Sequence, residues 1–555
     1  MTRKPYFCFP IVFALLFFLT SCAAPPKEGI LSFEDQQADA ETGMTRFLTA
    51  VEDEPDTVDF QCTTIHYTIA QNVFDRLVEM ESDGQNGASV FPSLAESWEV
   101  SGDGCCYTFH LREGVTFSNG APLTSEDVEY TLNRLLTHPD SCNQDIADDI
   151  VGAGALENGT AEKLEGFRII DDLSFSITLE QPFEAFLACL SMPGASILDR
   201  ETTEKAGNLF GKDPVWTIGT GSFILQKWEA GQGMVLTANP NCWKGAPKCD
   251  GLDLRFMTEP EEIRLKFEKE ELDILDLDEV GNSAEYFING DIYQDRLYKV
   301  QRIGITYVAL NESVEPLNDV RVRKALQLAL NRTTLLDAIY SGRGSVENGI
   351  YPHGLYGFNP ELEEIPCDPD GARKLLAEAG YAEGFDLTVS ISASSTQLER
   401  SLLKMIASMW GNIGVRATVG ILDENEFMRR RKAGELACYS ATWTADFNDP
   451  DNFVYTFFGN RENAVFRSLC YQNEEVMERV RKARTITDSA SRLTEYRELE
   501  RIIVQEDAAW VPLFSRLRFY VAGEAIGGIQ SSWNGSVKNR YCDVFFKDTD
   551  SPEEQ

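Results

Sequence analysis

Four histidines, His66, His110, His138 and His353, are the chain's whole imidazole complement, and no two stand at a metal-ligand spacing. Each reads as a single core or surface histidine. Neither a G-x-S-x-G elbow nor an H-E-x-x-H helix occurs, so serine-hydrolase and zinc-protease chemistry lack their motifs. Gly207-Asn-Leu-Phe-Gly211-Lys212-Asp213 has the outline of a phosphate loop. It is one residue short between its glycines, and Asp213 stands where a magnesium-binding Ser or Thr is required. Among 89 acidic residues carboxylate pairs arise by chance everywhere, so none singles itself out as a glycosidase pair. The expectation is a chain that is not an enzyme and carries no cofactor and no metal.

Sulfur is more informative. Of the 13 cysteines, Cys8 lies in an apolar N-terminal run and Cys22 ends it, which leaves 13 − 2 = 11, an odd number that cannot all pair. Cys242 and Cys249 flank a turn-like Trp-Lys-Gly-Ala-Pro-Lys and are a candidate bridge, although spacing does not fix connectivity. The absence of any C-x-x-C argues against a zinc ribbon or redox motif. Unpaired thiols often serve as small buried apolar groups. Arg3 and Lys4 precede the apolar run Tyr6 to Leu19, the layout of a secretory signal. Leu19-Thr20-Ser21-Cys22 then resembles a bacterial lipobox, which makes Cys22 the expected site of lipidation. Acyl chains contributing ~0.8 kcal/mol per buried methylene would hold the protein on a membrane. Residues 23–44, acidic through Glu41, read as a solvated tether. No other segment offers the about twenty apolar residues of a membrane span.

The formal net charge of −39 and a pI near 4.5 argue against nucleic acid, whose phosphates need basic clusters. At 555 residues the chain exceeds one ordinary core, and two or three domains are expected.

The elements that would position a site alternate between strand and helix, the mark of an α/β protein. Tyr107-Thr-Phe109-His-Leu111 alternates as a strand does. Thr124-Ser-Glu-Asp127 reads as a capping box, opening a helix with Val128, Leu132, Leu135 and Leu136 on one face. Asp319 precedes a second helix, buried through Val322, Ala325, Leu326, Ala329 and Leu330. Asp368-Pro369 is an N-cap followed by proline at the first helical position. That helix buries Ala372, Leu375, Leu376 and Ala379 and closes at Gly380. Leu387, Val389 and Ile391 then alternate as a strand.

A series of segments in fixed order carries a family resemblance. It runs Phe91-Pro-Ser-Leu-Ala-Glu-Ser-Trp98, Tyr107 to Gly120, Leu123-Thr-Ser-Glu-Asp127, Gly219-Thr-Gly221-Ser-Phe223 and Asn239-Pro240-Asn-Cys-Trp243. It continues through Leu317-Asn-Asp319 to Ala325, Asp368-Pro369 to Tyr381, Trp443-Thr-Ala-Asp446-Phe-Asn-Asp449-Pro450 and Glu506-Asp507-Ala-Ala-Trp510. Together these resemble the family 5 extracellular solute-binding proteins, the oligopeptide- and dipeptide-binding group, over roughly residues 45 to 547.

The resemblance implies a periplasmic-binding-protein-like type II fold, with two lobes, a hinge and an extra inserted domain. Lobe I would comprise 45–76, 218–308 and 518–547, the insertion 77–217 and lobe II 309–517. Residues 1–22 would be the signal with its lipobox and 548–555 an acidic tail. Segments near Thr306 to Leu310 and Leu513 to Val521 would form the hinge. The implied role is receptor of an ABC importer, a monomer lipid-anchored at the cell membrane. Its permease and ATPase would be other chains, and its ligand a peptide. Asp446 would anchor the ligand's ammonium, Trp443 line a side-chain pocket, and Thr444 and Ala445 pair their backbone with it. Thr63, Thr64 and Tyr67 would face it from the larger lobe. Dipeptide-specific relatives place an arginine where this chain has Ser392-Ala-Ser-Ser-Thr396, and Arg400 inside the next helix is a poor substitute, so longer peptides are expected. The same fold also allows an oligosaccharide, nickel chelate or haem cargo, or a surface sensor or adhesion role.

Overall fold

The computed structural model describes residues 46–51, 53–82, 87–536 and 541–547. The expected signal segment with Cys22, the tether 23–44 and the tail 548–555 lie outside the described residues.

Strand and helix alternate along the chain, and the local signals act where the sequence places them. Asp127 and Thr124 close a capping box on helix Ser125–Thr137. The Asp319 carboxylate accepts from the Arg321 N–H ahead of helix Val320–Leu328. Asp368 caps Pro369–Glu378 by accepting from the Gly371 N–H. Gly380 follows at φ +93°, a conformation that costs a Cβ-bearing residue and ends the helix. Gly219 and Gly221 have a different reason for being small. The chain there passes so close to the helix end at Asn72 and Val73 that a Cβ on Gly219 would lie 2.1 Å from the Val73 carbonyl oxygen.

Ten strands form the path of a large mixed sheet. Its order runs Arg416–Leu422, Asp386–Ser392, Cys438–Thr444, Gly304–Leu310, Trp510–Ala522, Ile274–Asp276, Arg46–Val51, Gly251–Phe256, Gly233–Ala238 and Phe223–Glu229. Trp510–Ala522, thirteen residues long, lies in the middle of that path and joins its two halves. Through Phe514 it pairs with Gly304–Leu310, and from Leu517 onward with Leu297–Gln301. A separate four-stranded antiparallel sheet, ordered Ala95–Val100, Cys106–Leu111, Ser174–Thr178 and Phe167–Asp171, lies within residues 77–217 and has its own apolar core. The eleven described cysteines are all free thiols. Cys242 and Cys249 are therefore not bridged, which corrects the candidate pair: buried Cys249 turns its sulfur toward the Tyr541 carbonyl at 4.0 Å.

One buried acid stands out in helix Ser489–Arg501. The Glu500 Oε1 accepts from the Ile350 and Tyr351 N–H groups at 2.7 and 2.9 Å, while its Oε2 is buried with no hydrogen-bond partner among the described residues. It borders a small cavity of about 200 Å³ shared with Glu347 and His353. Burial pushes its carboxyl up to about 8, against the pull of those two N–H groups. A folded-state pKa raised above the unfolded value means stability is fully present below about 4.5 and lost as pH rises through about 8. By pH 7 the loss is on the order of 3 kcal/mol. Glu500→Gln keeps the acceptor and cannot ionise. Its unfolding free energy by denaturant titration should match the wild type at pH 5 and exceed it at pH 8.

Candidate functional site

Strand Cys438–Thr444 delivers the candidate residues. On one side it pairs along its whole length with Gly304–Leu310, from Gly304↔Thr444 to Leu310↔Cys438. On the other it meets Asp386–Ser392 only at Cys438 and Tyr439. Among the described strands, Ala441–Thr444 therefore has an open edge, and that edge runs straight into Ala445 and Asp446.

Asn452 fixes this end of the strand. Its Oδ1 accepts from Trp443 Nε1 at 3.2 Å and from the Asp446 N–H at 3.1 Å, and its Nδ2 donates to Asp446 Oδ2 at 3.1 Å. Trp443 is half-buried and meets Phe457 edge to face, with centroids 5.3 Å apart. The buried Ala445 donates its N–H to the Ile303 carbonyl at 2.8 Å, so that N–H is not available to a ligand. The Thr444 hydroxyl accepts from Arg302 Nε at 3.1 Å.

Asp446 is open to water, yet burial pushes its carboxyl up to about 6. The Asn452 amide opposes the rise, Asp145 adds to it and Arg467 counters it. Water reaches the carboxylate while the protein packed around it limits its solvation, as for a side chain in an open recess. Asp145, in the turn Gln144–Ile146, is likewise raised, chiefly by burial. Two carboxylates and one guanidinium thus share the recess.

The 63–67 stretch reaches the same place. Tyr67 feels Asp446 electrostatically, and its hydroxyl donates to the Thr63 carbonyl at 2.8 Å and to Asn143 Oδ1 at 3.1 Å. Asn143 Nδ2 donates in turn to the carbonyls of Phe60 and Thr63. Thr63 spends its hydroxyl on a turn to Ile65, and Thr64 is exposed. Tyr67, Trp443 and Asp446 are thus brought together, while the Thr63 side chain holds the local turn.

The loop after Asp446 is anchored on several sides. Phe447 enters the apolar core of residues 77–197, and Asn448 Nδ2 donates to the Ala88 carbonyl at 3.0 Å. Asp449 and Arg492 form a bidentate pair at 2.7 Å, with the Arg492 side chain 1 % exposed. Arg484 bridges Asp451 at 3.1 Å and Asp149 at 2.9 Å while stacked over Tyr455 and Phe183. Arg400, in helix Gln397–Gly411, donates back to the carbonyls of Ala393 and Ser395 in the loop just before that helix.

Sequence reasoning missed Asn452, Asp145, Asn143 and Arg467. Asn452 alone had a local signal, six residues past Asp446 in the same motif. The others come from distant segments.

Residues 89–464 match the family model described as bacterial extracellular solute-binding proteins, family 5 Middle. Heme-binding protein A of Haemophilus influenzae is 28% identical over 84% of this chain and 86% of its own length. Di/tripeptide-binding protein 2 of Pseudomonas aeruginosa is 30% identical over 80% of this chain and 85% of its own. The crystal structure of a dipeptide-binding protein from a Pseudoalteromonas species, in complex with Met-Leu, superposes with a TM-score of 0.76 at 23% identity. It covers 90% of this chain and 100% of that one. The fold is that of the type II periplasmic peptide-binding proteins.

Proposed function

The chain belongs to the family 5 bacterial extracellular solute-binding proteins, and on that premise we propose that it is the peptide receptor of an ABC importer. The observation that carries this reading is the open edge of Ala441–Thr444 ending in the recess of Asp446. An extended peptide can add to such an edge as a further strand while its ammonium meets the carboxylate. Relatives named for di- and tripeptides support the same cargo.

In this reading 45–76, 218–308 and 518–547 form one lobe, 309–517 the other, and 77–217 the insertion. Ligand touching both lobes shifts the balance toward the closed form by its differential affinity. No bond is made or broken, and a permease with its ATPase on other chains takes up the closed receptor. The protein is exported, monomeric and anchored through acylated Cys22. Asp446, Trp443, Thr444, Tyr67 and the backbone of Thr63 and Thr64 form the ligand surface, while Ala445, bonded through its N–H to Ile303 and through its carbonyl to Asn534, holds the strand end in place.

Native mass spectrometry of the chain from residue 23, which leaves out Cys22, tests the cargo directly. Peptides released on denaturation bear the reading out. A sugar, a metal chelate or haem leaves the receptor role but removes the peptide.

A further inference from the structure

Arg467 follows helix Arg461–Phe466, twenty-one residues past Asp446. Its guanidinium lies 4.5 Å from the Trp443 ring centroid, 5.2 Å from that of Phe457 and 5.5 Å from that of Phe466. Among the described residues its side chain makes no hydrogen bond and has no carboxylate at ion-pair distance. Asp446 acts on it only electrostatically. Of the other arginines nearby, Arg484 is committed to Asp149 and Asp451, Arg492 to Asp449 and Arg302 to Thr444, whereas Arg431, 5.9 Å from the Phe466 ring centroid, has a buried Nε with no partner among the described residues but does not cover Trp443. A guanidinium presents five N–H donors in a planar fork that matches a carboxylate. Here one face rests on an indole while the fork is left unused, in a recess where an unpaired charge is poorly solvated.

We propose that Arg467 receives the terminal carboxylate of a short peptide whose ammonium is held by Asp446. This rests on the peptide reading above and deepens it. It supplies the anchor that the 392–396 stretch lacks, from a different part of the chain. Asp446 and Arg467 flank the same Trp443, one following it on its strand and the other covering its ring. Both ends of one ligand therefore fall within a single recess, and ligand length becomes the selected property. A chain too long to end at Arg467 leaves the fork unsatisfied.

The test uses di- and tripeptide libraries, each as free acids and as C-terminal amides, against wild type, Arg467→Met and Arg467→Lys, with affinities from calorimetry. Wild type should prefer acids over amides by at least tenfold. Arg467→Met should bind both forms with one weakened affinity, and Arg467→Lys should keep part of the preference. Because the Arg467 side chain makes no hydrogen bond among the described residues, and its carbonyl keeps the Tyr439 hydroxyl in any variant, the variants should keep the wild-type melting temperature, which a merely structural role would lower. Equal wild-type affinity for acids and amides overturns the assignment while leaving the peptide reading intact. A preference that survives in Arg467→Met also overturns it. Binding of neither form by the wild type overturns this assignment, and the peptide reading is then decided by the cargo that native mass spectrometry releases.

Discussion

Arg492→Ala lowers the unfolding free energy by about 3–5 kcal/mol, because it leaves the Asp449 carboxylate buried without its counter-charge. Both oxygens of Asp449 receive a guanidinium N–H at 2.7 Å, and one also takes the Asp451 N–H at 2.9 Å. Arg492 further rests on the Tyr496 ring, whose hydroxyl donates to Asp451 at 2.8 Å. Removing the guanidinium therefore loosens the whole 449–451 turn. Denaturant titration measures the loss. Replacing both partners, Arg492→Met with Asp449→Asn, should recover most of it, since no uncompensated charge then remains. The single variant should also bind ligand more weakly, because the turn fixes Asn452 and, through it, Asp446.

Asp446→Asn gives the largest effect on binding and a small one of opposite sign on the empty protein. An ammonium about 4 Å from a carboxylate, at an effective dielectric of about 20, is attracted by about 4 kcal/mol before desolvation is subtracted. Loss of the charge should weaken peptides with a free N-terminus by about 100-fold, corresponding to about 2.7 kcal/mol of net attraction. N-acetylated peptides should bind wild type and variant equally weakly. Wild-type affinity for free-amine peptides should fall as pH drops through about 6, where Asp446 takes up a proton. Stability runs the other way. A carboxyl whose folded pKa is raised contributes stability below its unfolded value, and that contribution is lost as pH rises through about 6. At pH 7 the ligand-free Asn variant should melt no lower than the wild type, which calorimetry checks. A residue kept for packing would show the reverse.

Much of the fold could be read from the chain itself because its signals are local. Thr124 with Asp127, Asp319, Asp368-Pro369 and Gly380 each act within four residues, and their elements formed where expected. Trp443 to Asp446 were legible for the same reason: one strand end carries them all. Asp145 and Arg467 were not, since neither differs in sequence from dozens of exposed acids and arginines. Only the chain path from three distant segments puts them beside Asp446. Arg492 and Glu500 mislead in the opposite way, because charged residues on a helix read as its wet face, yet both are buried. Cys242 and Cys249 had a plausible spacing for a bridge, but the turn between them sends Cys249 into the core beside Tyr541.

Strand Trp510–Ala522 also sets how strain can travel through this molecule. Gly304–Leu310 accompanies it no further than Phe514, and Ile274–Asp276 joins only from Tyr520. Between them Arg516, Leu517 and Arg518 are the half-buried residues of an otherwise buried strand. All three keep a strand partner, Arg516 opposite Gly344, Leu517 opposite Gln301 and Arg518 opposite Val300, so the strand changes neighbours here without a gap in its pairing. Since the peptide backbone is continuous, twist entering that interval must leave it as rotation of the far end. One continuous ribbon thus links two different sets of neighbouring strands, and the handover between them falls at its three half-buried residues.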